Sequence, residues 1–247
     1  MHHIICVCSG MKYGNNYVEK LHRMVTRYLD TPFTFTCVTD HPYEITPGIE
    51  TIDSSSWGTT GWFTKLRLFD ADATPYDSML YLDVSLVIKK PLRPLIEFAT
   101  AQHKDFVGLR DWHYDCINSC IMWIKKSPTT QTVWDTYASG KTYNTILHGD
   151  QDYIDAVIRD KHLEEHVAYF PQQFIASYKK LLRTHRYTPD EEERMLHEAI
   201  IVKFHGHPKP HELLNTWLRF RHLTLRYPRY AFHDWTFLTK ETQEWWK

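Results

Sequence analysis

The chain has 247 residues, of which 43% are hydrophobic and 24% are charged, proportions typical of a packed globular protein with one large or two small domains. Its formal net charge of −1 excludes the strong basic excess that most nucleic-acid-binding proteins carry. The longest apolar runs are far shorter than the ~20 residues of a membrane-spanning helix, so we expect no membrane span.

The five cysteines indicate a reducing environment. Their number is odd, and their spacing shows neither a CxxC pair nor a zinc-binding pattern. Buried free thiols are therefore the simplest interpretation. The first residues also lack the pattern of a signal peptide, and together these features predict a cytoplasmic protein.

The first forty residues predict a parallel β-α-β unit. Ile4–Cys8 is a short apolar run typical of a buried strand, and the apolar residues between Asn16 and Leu29 recur at helical spacing. Thr34–Val38 then alternates and is rich in β-forming residues. A strand, a helix and a second strand in so short a stretch favour a parallel sheet.

The rest of the chain continues this alternation of strands and helices. In chain order we expect a strand at Ile49–Ile52, a helix at Trp62–Phe69, a strand at Ser78–Leu82 continued by Leu86–Ile88, strands at Phe106–Leu109 and Asn118–Ile124, helices at Thr129–Ser139 and Gln151–Ile158, and strands at Val167–Phe170 and Ile200–Phe204. No repeat or linker is evident. We predict a single domain over residues 1–247, with an aromatic-rich extension, residues 213–247, packed on it.

An acidic residue follows one of the most apolar predicted strands. Asp83 comes directly after Ser78–Leu82, and a carboxylate is expensive to bury without a purpose. Ligand sites of open α/β sheets gather at the carboxyl ends of strands, where Asp83 could bind a divalent metal or a ribose hydroxyl. Alternatively Asp83 caps the next turn, and this motif alone does not decide between the two.

A second polar segment, residues 204–210, follows the last predicted strand with the sequence Phe-His-Gly-His-Pro-Lys-Pro. His205 could ligate a metal through a neutral nitrogen, and Gly206 would let the backbone approach a phosphate closely. Lys209 could neutralise a diphosphate as a point charge. Most of the sixteen histidines must be ordinary surface or core residues, but this combination distinguishes His205 from them.

A third segment, His-Gly-Asp-Gln at residues 148–151, opens a predicted helix. Asp150 could simply cap the free N–H groups of that helix. The carboxylate of Asp150 and the amide of Gln151 could equally bind sugar hydroxyls. The segment alone is a weak signal.

The order of these motifs resembles that of the metal-dependent glycosyltransferases of GT-A fold, especially those related to the glycogenin-like family 8. The resemblance covers residues 4 to about 212 and implies an α/β fold with a mixed, mostly parallel sheet flanked by helices. It also implies transfer of a sugar from a nucleoside-diphosphate sugar to an acceptor, whether glycan, lipid-linked or protein. The nucleotide and donor positions that it implies are Cys8, Ser9, Tyr13, Tyr17, Lys65, Asp83, Val84, Ser85, Asn118, Ser119, Gly206 and Lys209.

The resemblance assigns the reaction centre to three residues. Asp150 and Gln151 would hold the donor sugar or the acceptor hydroxyl, and Lys209 would stabilise the leaving diphosphate. If the reaction inverts the anomeric configuration, Asp150 and Asp152 are the candidates for the required carboxylate base.

The resemblance also implies a metal, Mn²⁺ or Mg²⁺, held by Asp83 and His205. The family motif has a second Asp where this chain has Ser85, and a hydroxyl is a neutral and poorer ligand. We therefore expect the metal to bind weakly without nucleotide. Lys65 and Lys209 could supply positive charge in a reaction that depends less on metal.

Two other functions stay open at this stage. A nucleotide-binding or carbohydrate-binding module without catalysis is favoured by the altered metal motif at Ser85. A nucleotidyltransferase would share the sheet and the phosphate chemistry. The absence of a basic, Gly-rich phosphate loop near Ser9–Asn16 argues against it.

Overall fold

The computed structural model describes residues 1–10, 13, 15–41, 46–178, 188–204, 206, 209–215 and 217. The chain divides into two compact units. The first consists of Met1–Val18, Thr31–Val84 and Pro94–Phe170, and the second of Glu19–Asp30, Ser85–Arg93 and the residues from Pro171 onward.

The described residues form ten strands and six α-helices. The strands are β1 (His2–Cys8), β2 (Phe33–Thr39), β3 (Glu50–Asp53), β4 (Ser78–Leu82), β5 (Leu86–Ile88), β6 (Phe106–Arg110), β7 (Ile117–Lys125), β8 (Val167–Tyr169), β9 (Ile175–Ser177) and β10 (Ile201–Lys203) among the described residues. The α-helices are α1 (Asn15–Tyr28), α2 (Arg93–Ala101), α3 (Pro128–Ala138), α4 (Asp150–Asp160), α5 (Pro189–Glu198) and α6 (Pro210–Leu214), and 3-10 helices span Gly61–Phe69, Glu164–His166 and Gln172–Phe174.

The first unit is built on a seven-stranded sheet with the order β3-β2-β1-β4-β7-β6-β8. All neighbours pair in parallel except β7, which is antiparallel to both β4 and β6. This is the mixed, mostly parallel sheet that the sequence predicts. The parallel strands end at one edge of the sheet, and β7 begins at that same edge because it runs the other way.

Alternate residues of the central strands form the core of the first unit. Ile5, Met79 and Tyr81 are fully buried in one apolar cluster with Met122 and Ile154, which come from β7 and α4. Alternate residues of a strand point to the same face of the sheet, and on this face they pack against α4. The segment Gly61–Phe69, predicted as a helix from Trp62, is a 3-10 helix that adds Leu66 and Phe69 to this cluster.

The second unit has a three-stranded sheet with the order β5-β10-β9. The prediction that Leu86–Ile88 continues β4 is wrong, because β5 pairs with β10 in this other sheet, with Val87 opposite Val202. The chain leaves the first sheet after Leu82, and residues 83–85 form the connection. Three-residue strands such as β9 carry too little sequence pattern to be predicted.

Several other expectations can be compared with the described residues. All five cysteines are buried and free, as predicted. Among the described residues we find no helix that combines the length and the apolar character needed to cross a bilayer. The single-domain organisation stays a prediction, and most of the aromatic extension, including residues 218–247, lies outside the described residues.

A hydrogen-bonded triad joins β2, β3 and the segment before β4, and it provides a test of the fold. The Tyr76 hydroxyl lies 2.7 Å from Glu50 Oε2 and 2.6 Å from Thr36 Oγ1. We expect Tyr76→Phe to lower the free energy of unfolding by about 1–2 kcal/mol, because it leaves the two partners without this hydroxyl. Urea denaturation measures the change. Tyr114→Phe, at an exposed tyrosine, is the matched control and should change stability by less than about 0.5 kcal/mol.

Candidate functional site

The carboxyl edge of the first sheet brings together residues that are far apart in the sequence. Asp83 follows the end of β4, and its backbone N–H donates to the Cys120 carbonyl of β7 at 2.9 Å. Asn118 and Ser119 are the second and third residues of β7, and both are buried. The pairing of β4 with β7 therefore sets the end of one strand beside the beginning of the other.

The Lys65 ammonium is the centre of a cluster at this edge. Its Nζ lies 3.1 Å from Asp83 Oδ1, 3.2 Å from Asp150 Oδ2 and 3.3 Å from Ser119 Oγ. Ser119 Oγ in turn donates a short hydrogen bond to Asp150 Oδ2. One lysine thus joins four separate elements: the 3-10 helix Gly61–Phe69, the end of β4, the strand β7 and the start of α4. We refer to Lys65, Asp83, Ser119 and Asp150 as the lysine cluster.

The electrostatics of the lysine cluster favour the charged form of Lys65. Burial by itself would lower the pKa of Lys65, but the carboxylates of Asp150 and Asp83 outweigh it and hold that pKa above its ordinary value. The Tyr81 hydroxyl donates to Asp83 Oδ1 at 2.5 Å. Burial, and to a smaller extent the charge of Asp83, raises the pKa of Tyr81. Besides the ammonium the cluster has two carboxyl groups, and carboxylate oxygens can accept hydrogen bonds from the hydroxyls of a ligand.

The start of α4 separates the roles of two neighbouring aspartates. Gly149 is the N-cap of α4, and Asp152 reaches back to it from the third helical position: its carboxylate accepts from the N–H groups of Leu147 at 2.6 Å and Gly149 at 2.9 Å. Asp150 does not perform that function and faces Lys65 and Ser119. Of the two bases considered for an inverting reaction, Asp152 is engaged in holding the loop. The amide nitrogen of Gln151, the residue between these two aspartates, lies 3.9 Å from Cys116 Sγ.

Four of the predicted nucleotide-binding residues lie in or beside the loop after β1: Ser9 and Tyr13 are in the loop, Cys8 ends β1 and Tyr17 is in α1. Ser9 and Gly10 are held by Asp40, whose carboxylate accepts from Ser9 Oγ and from the Gly10 N–H, each at 2.9 Å. Although burial opposes it, these hydrogen bonds lower the pKa of Asp40. Gly10 has a φ of +71°, a conformation that side chains rarely adopt, so the loop turns at this point.

Two aromatic side chains in and beside this loop pack against each other. The Cys8 thiol lies 3.5 Å from the Tyr13 carbonyl oxygen, and the rings of Tyr13 and Tyr17 are 5.1 Å apart. Met11, Lys12 and Gly14 lie outside the described residues. The structure therefore places Cys8, Ser9, Tyr13 and Tyr17 around one loop at the end of β1, in the same unit as the lysine cluster.

Sequence reasoning missed two aspartates that organise this edge. Asp40 follows β2, and Asp111 follows β6. Asp111 Oδ2 accepts from the Asn118 amide at 2.7 Å, while Asn118 Oδ1 accepts from the Cys120 N–H at 3.1 Å. Both aspartates follow an apolar strand, as Asp83 does, and this shared feature is the signal that would have identified them.

The remaining predicted residues that can be described lie in the second unit, after the buried Val84. Ser85 is buried, and its hydroxyl accepts from Lys203 Nζ at 3.2 Å. Lys209 Nζ lies 3.4 Å from the Phe204 carbonyl oxygen, and Gly206 has a φ of +69°. His205 lies outside the described residues.

The described residues do not fit a divalent metal well. Within them, no group of three His, Cys, Asp or Glu side chains could hold an ion. Asp83 Oδ1 already contacts an ammonium and a phenol, and the Ser85 hydroxyl contacts a second ammonium. Binding of metal by Asp83 and His205 stays a prediction of the resemblance.

Comparisons of sequence identify no relative: no protein-family model and no curated protein matches the chain. Solved structures do match. The galactosyltransferase LgtC, solved with donor and acceptor sugar analogues, shares 15% identity and a TM-score of 0.53, over 84% of this chain and 88% of that chain. Mouse xyloside xylosyltransferase 1 shares 13% identity and a TM-score of 0.56, over 82% and 97%.

The glycosyltransferase GlyE of Streptococcus pneumoniae TIGR4 is similar over 99% of this chain, with 15% identity and a TM-score of 0.61. The chain spans only 63% of the length of GlyE. All three proteins are glycosyltransferases, and at these identities the likeness concerns the fold. The chain has the GT-A fold of these glycosyltransferases.

Proposed function

We propose that this protein is a glycosyltransferase that moves a sugar from a nucleoside-diphosphate sugar to an acceptor hydroxyl. The observation that carries the proposal is the lysine cluster, in which Lys65 holds Asp83 and Asp150 at the carboxyl edge of a GT-A sheet. Ligand sites of open α/β sheets lie at this edge. The fold shared with three glycosyltransferases supports the same reaction.

The chemistry requires a hydrogen-bond acceptor for hydroxyls and positive charge for the leaving group. The bond between the anomeric carbon and the diphosphate oxygen breaks, and its electron pair stays on the diphosphate. The acceptor oxygen bonds to the same carbon and loses its proton. Preorganised charge near the diphosphate lowers the barrier most, because negative charge grows there in the transition state.

The residues of the chain can be assigned to these tasks. Asp150 is fixed by Lys65 and Ser119, so its carboxylate can orient a hydroxyl of the donor sugar or of the acceptor. Asp83 is a hydrogen-bond acceptor for the ribose of the donor. Lys209 supplies positive charge to the diphosphate, and Gln151 assists with the sugar. The loop Cys8–Gly10, braced by Asp40, receives the base together with Tyr13 and Tyr17.

The cation that the resemblance implies would add charge to the same diphosphate. Asp83 and His205 would be its ligands, and it would act as a Lewis acid on the leaving oxygens. The described residues offer a poor set of ligands for it, and we assign no step of the reaction to a metal.

The first prediction of the proposal concerns donor binding. Because the base loop and the lysine cluster lie in one unit, we expect the protein to bind a nucleoside diphosphate and its sugar conjugate. At a concentration 100 times the dissociation constant, a donor should stabilise the folded protein by about 2.7 kcal/mol. Thermal unfolding against a panel of nucleotide sugars measures this. Absence of any shift across the panel, with or without divalent cations, would contradict the proposal.

A second prediction separates Asp150 from Asp152. We expect Asp150→Asn to lower the turnover number by about 100-fold or more, since the charge of this carboxylate matters at the reaction centre. Donor affinity should change much less. Steady-state kinetics together with calorimetric donor binding distinguish the two effects.

The matched control is Asp152→Asn, two residues further along the same helix. Leu147 donates to Oδ2 and Gly149 to Oδ1, and asparagine has an NH₂ group in place of one of these oxygens, so one hydrogen bond is lost and stability should fall by about 0.5–2 kcal/mol. If Asp152→Asn abolishes turnover while Asp150→Asn retains the wild-type value, the assignment of Asp150 is wrong.

A third prediction concerns the stability that Lys65 provides. Lys65→Met leaves Asp83 and Asp150 as partly buried carboxylates without their ammonium, and we expect a loss of about 3–5 kcal/mol at pH 7. The pKa of Lys65 is raised in the folded state, so its contribution is complete below its ordinary value of about 10.4 and is lost as the pH rises further.

Urea denaturation of the wild type and of Lys65→Met, at several values between about pH 7 and about pH 11, measures the difference between their free energies of unfolding. The difference should stay constant at first and then narrow at the alkaline end. A difference that widens with increasing pH would show that Lys65 is not the charged centre of the cluster.

A further inference from the structure

A fully buried tyrosine contacts the Asp83 carboxylate. Tyr81 is the fourth residue of β4 and is 0% exposed, and it packs in the same apolar cluster as Ile5 and Met122. Its hydroxyl donates to Asp83 Oδ1 at 2.5 Å. Side chains two residues apart in an extended chain point to the same side, so the tyrosine is well placed to reach this carboxylate.

The hydroxyl of this tyrosine does more than fill the core. A phenylalanine ring would occupy the same space without taking a polar group out of water, and a buried phenol is costly unless it is hydrogen-bonded. The acceptor here is a carboxylate, and such charge-assisted hydrogen bonds are stronger than those between neutral groups. Because burial and, to a smaller extent, the Asp83 charge raise the pKa of Tyr81, the phenol stays protonated at neutral pH and remains a donor.

Lys65, which donates to the same oxygen, does not fix the direction of the carboxylate by itself. Its Nζ lies 3.1 Å from Asp83 Oδ1, but it also lies 3.2 Å from Asp150 Oδ2 and 3.3 Å from Ser119 Oγ. An ammonium has three rotatable donors, so it acts as a compact charge shared among these three acceptors. The phenol has one donor on a rigid ring that the core holds in place, and it supplies the directional contact.

The exposure of the two residues separates their roles. The Asp83 side chain is 18% exposed, so a ligand can reach it, whereas Tyr81 is completely enclosed. Tyr81 can therefore influence a ligand only through Asp83. The backbone of Asp83 is also held, because its N–H donates to the Cys120 carbonyl at 2.9 Å. Since the backbone and one carboxylate oxygen are both fixed, the acceptor is oriented before a ligand arrives, and less entropy is lost on binding.

We propose that Tyr81 is a positioning residue: by holding one oxygen of Asp83 it orients that carboxylate for the ribose of the donor, and it thereby sets a preference for ribonucleotides over deoxyribonucleotides. This inference rests on the proposed glycosyltransferase function, in which Asp83 accepts a hydrogen bond from the ribose. Tyr81, Asp83 and the loop Cys8–Gly10 all lie in the first unit.

The decisive measurement is the ratio of two affinities. Calorimetric titration gives the dissociation constant for whichever of UDP, GDP and ADP binds most tightly, and for its 2′-deoxy and 3′-deoxy counterparts. The wild type should bind at least one of the deoxy forms about 10-fold more weakly, because one hydrogen bond to a carboxylate is lost. In Tyr81→Phe this ratio should fall to about threefold or less, since the ribonucleotide loses affinity and the deoxy form does not. A merely structural role for Tyr81 would weaken both nucleotides alike and leave the ratio unchanged.

Two further variants serve as control and as cross-check. Tyr76→Phe removes another hydrogen-bonded hydroxyl, from a tyrosine that precedes β4 and so lies at the opposite end of this strand from Asp83, and it should keep the wild-type ratio. Asp83→Asn should lower the ratio as Tyr81→Phe does. The double variant Tyr81→Phe/Asp83→Asn should show no additional change, because the two residues act on the same hydrogen bond and their effects are not additive.

The possible results lead to different conclusions. A folded Tyr81→Phe variant with the wild-type ratio, or a wild type that binds the ribose and deoxyribose forms equally, would overturn the inference while leaving the glycosyltransferase proposal intact. If Tyr81→Phe does not fold, Asp83→Asn decides: an unchanged ratio there overturns the inference, because Tyr81 then has no ribose ligand to position, and a lowered ratio supports it. A wild type that binds no nucleotide at all would contradict the proposed function, and the inference with it.

Discussion

The antiparallel pairing of β7 with β4 is the constraint on which the site depends. In a wholly parallel sheet, the strand next to β4 would bring its last residues to the carboxyl edge. Because β7 runs the other way, it brings its first residues, Asn118 and Ser119, to the end of β4 instead. The hydrogen bond from the Asp83 N–H to the Cys120 carbonyl fixes this register beyond the strand itself. A shift of one residue would turn Ser119 to the opposite face of the sheet and remove it from Asp150.

The lysine cluster follows from this arrangement. Two carboxylates in a partly buried site repel each other, and each is costly to remove from water. The ammonium of Lys65, on a 3-10 helix that packs through Leu66 and Phe69, offsets both effects at once. The same apolar cluster that holds the 3-10 helix also contains Ile154 of α4, the helix that begins at Asp150. Packing and charge therefore fix the same geometry, and Asp150 is positioned before any ligand binds.

The success of sequence reasoning here depends on how long each pattern is. The bounds of the β-α-β start and of the strand before Asp83 were predicted within one or two residues, because each element contains several apolar residues at the spacing typical of its type. The three-residue strand β5 was assigned to the wrong sheet, since no Gly or Pro separates it from β4 and its apolar residues read as a continuation. Nothing in the spacing shows that residues 83–85 leave one sheet for another.

Individual residues of the site were harder to predict than strands, for a different reason. Asp150 and Asp152 both lie in the first turn of α4, and only the positions of the Leu147 and Gly149 N–H groups show which one holds the loop before the helix. Asp40 follows a strand as Asp83 does, but none of the predicted motifs includes it. Its bonds to Ser9 and Gly10 depend on the parallel pairing of β1 with β2, which no local pattern displays.

Lys203 shows most clearly how a residue's meaning depends on its environment. At the end of an apolar run, a lysine normally extends into water and neutralises nothing in particular. Here the pairing of β10 with β5 turns it toward Ser85 and buries it. The two residues are 118 positions apart in the sequence, so only the pairing of β5 with β10 shows that the lysine and the serine form one contact.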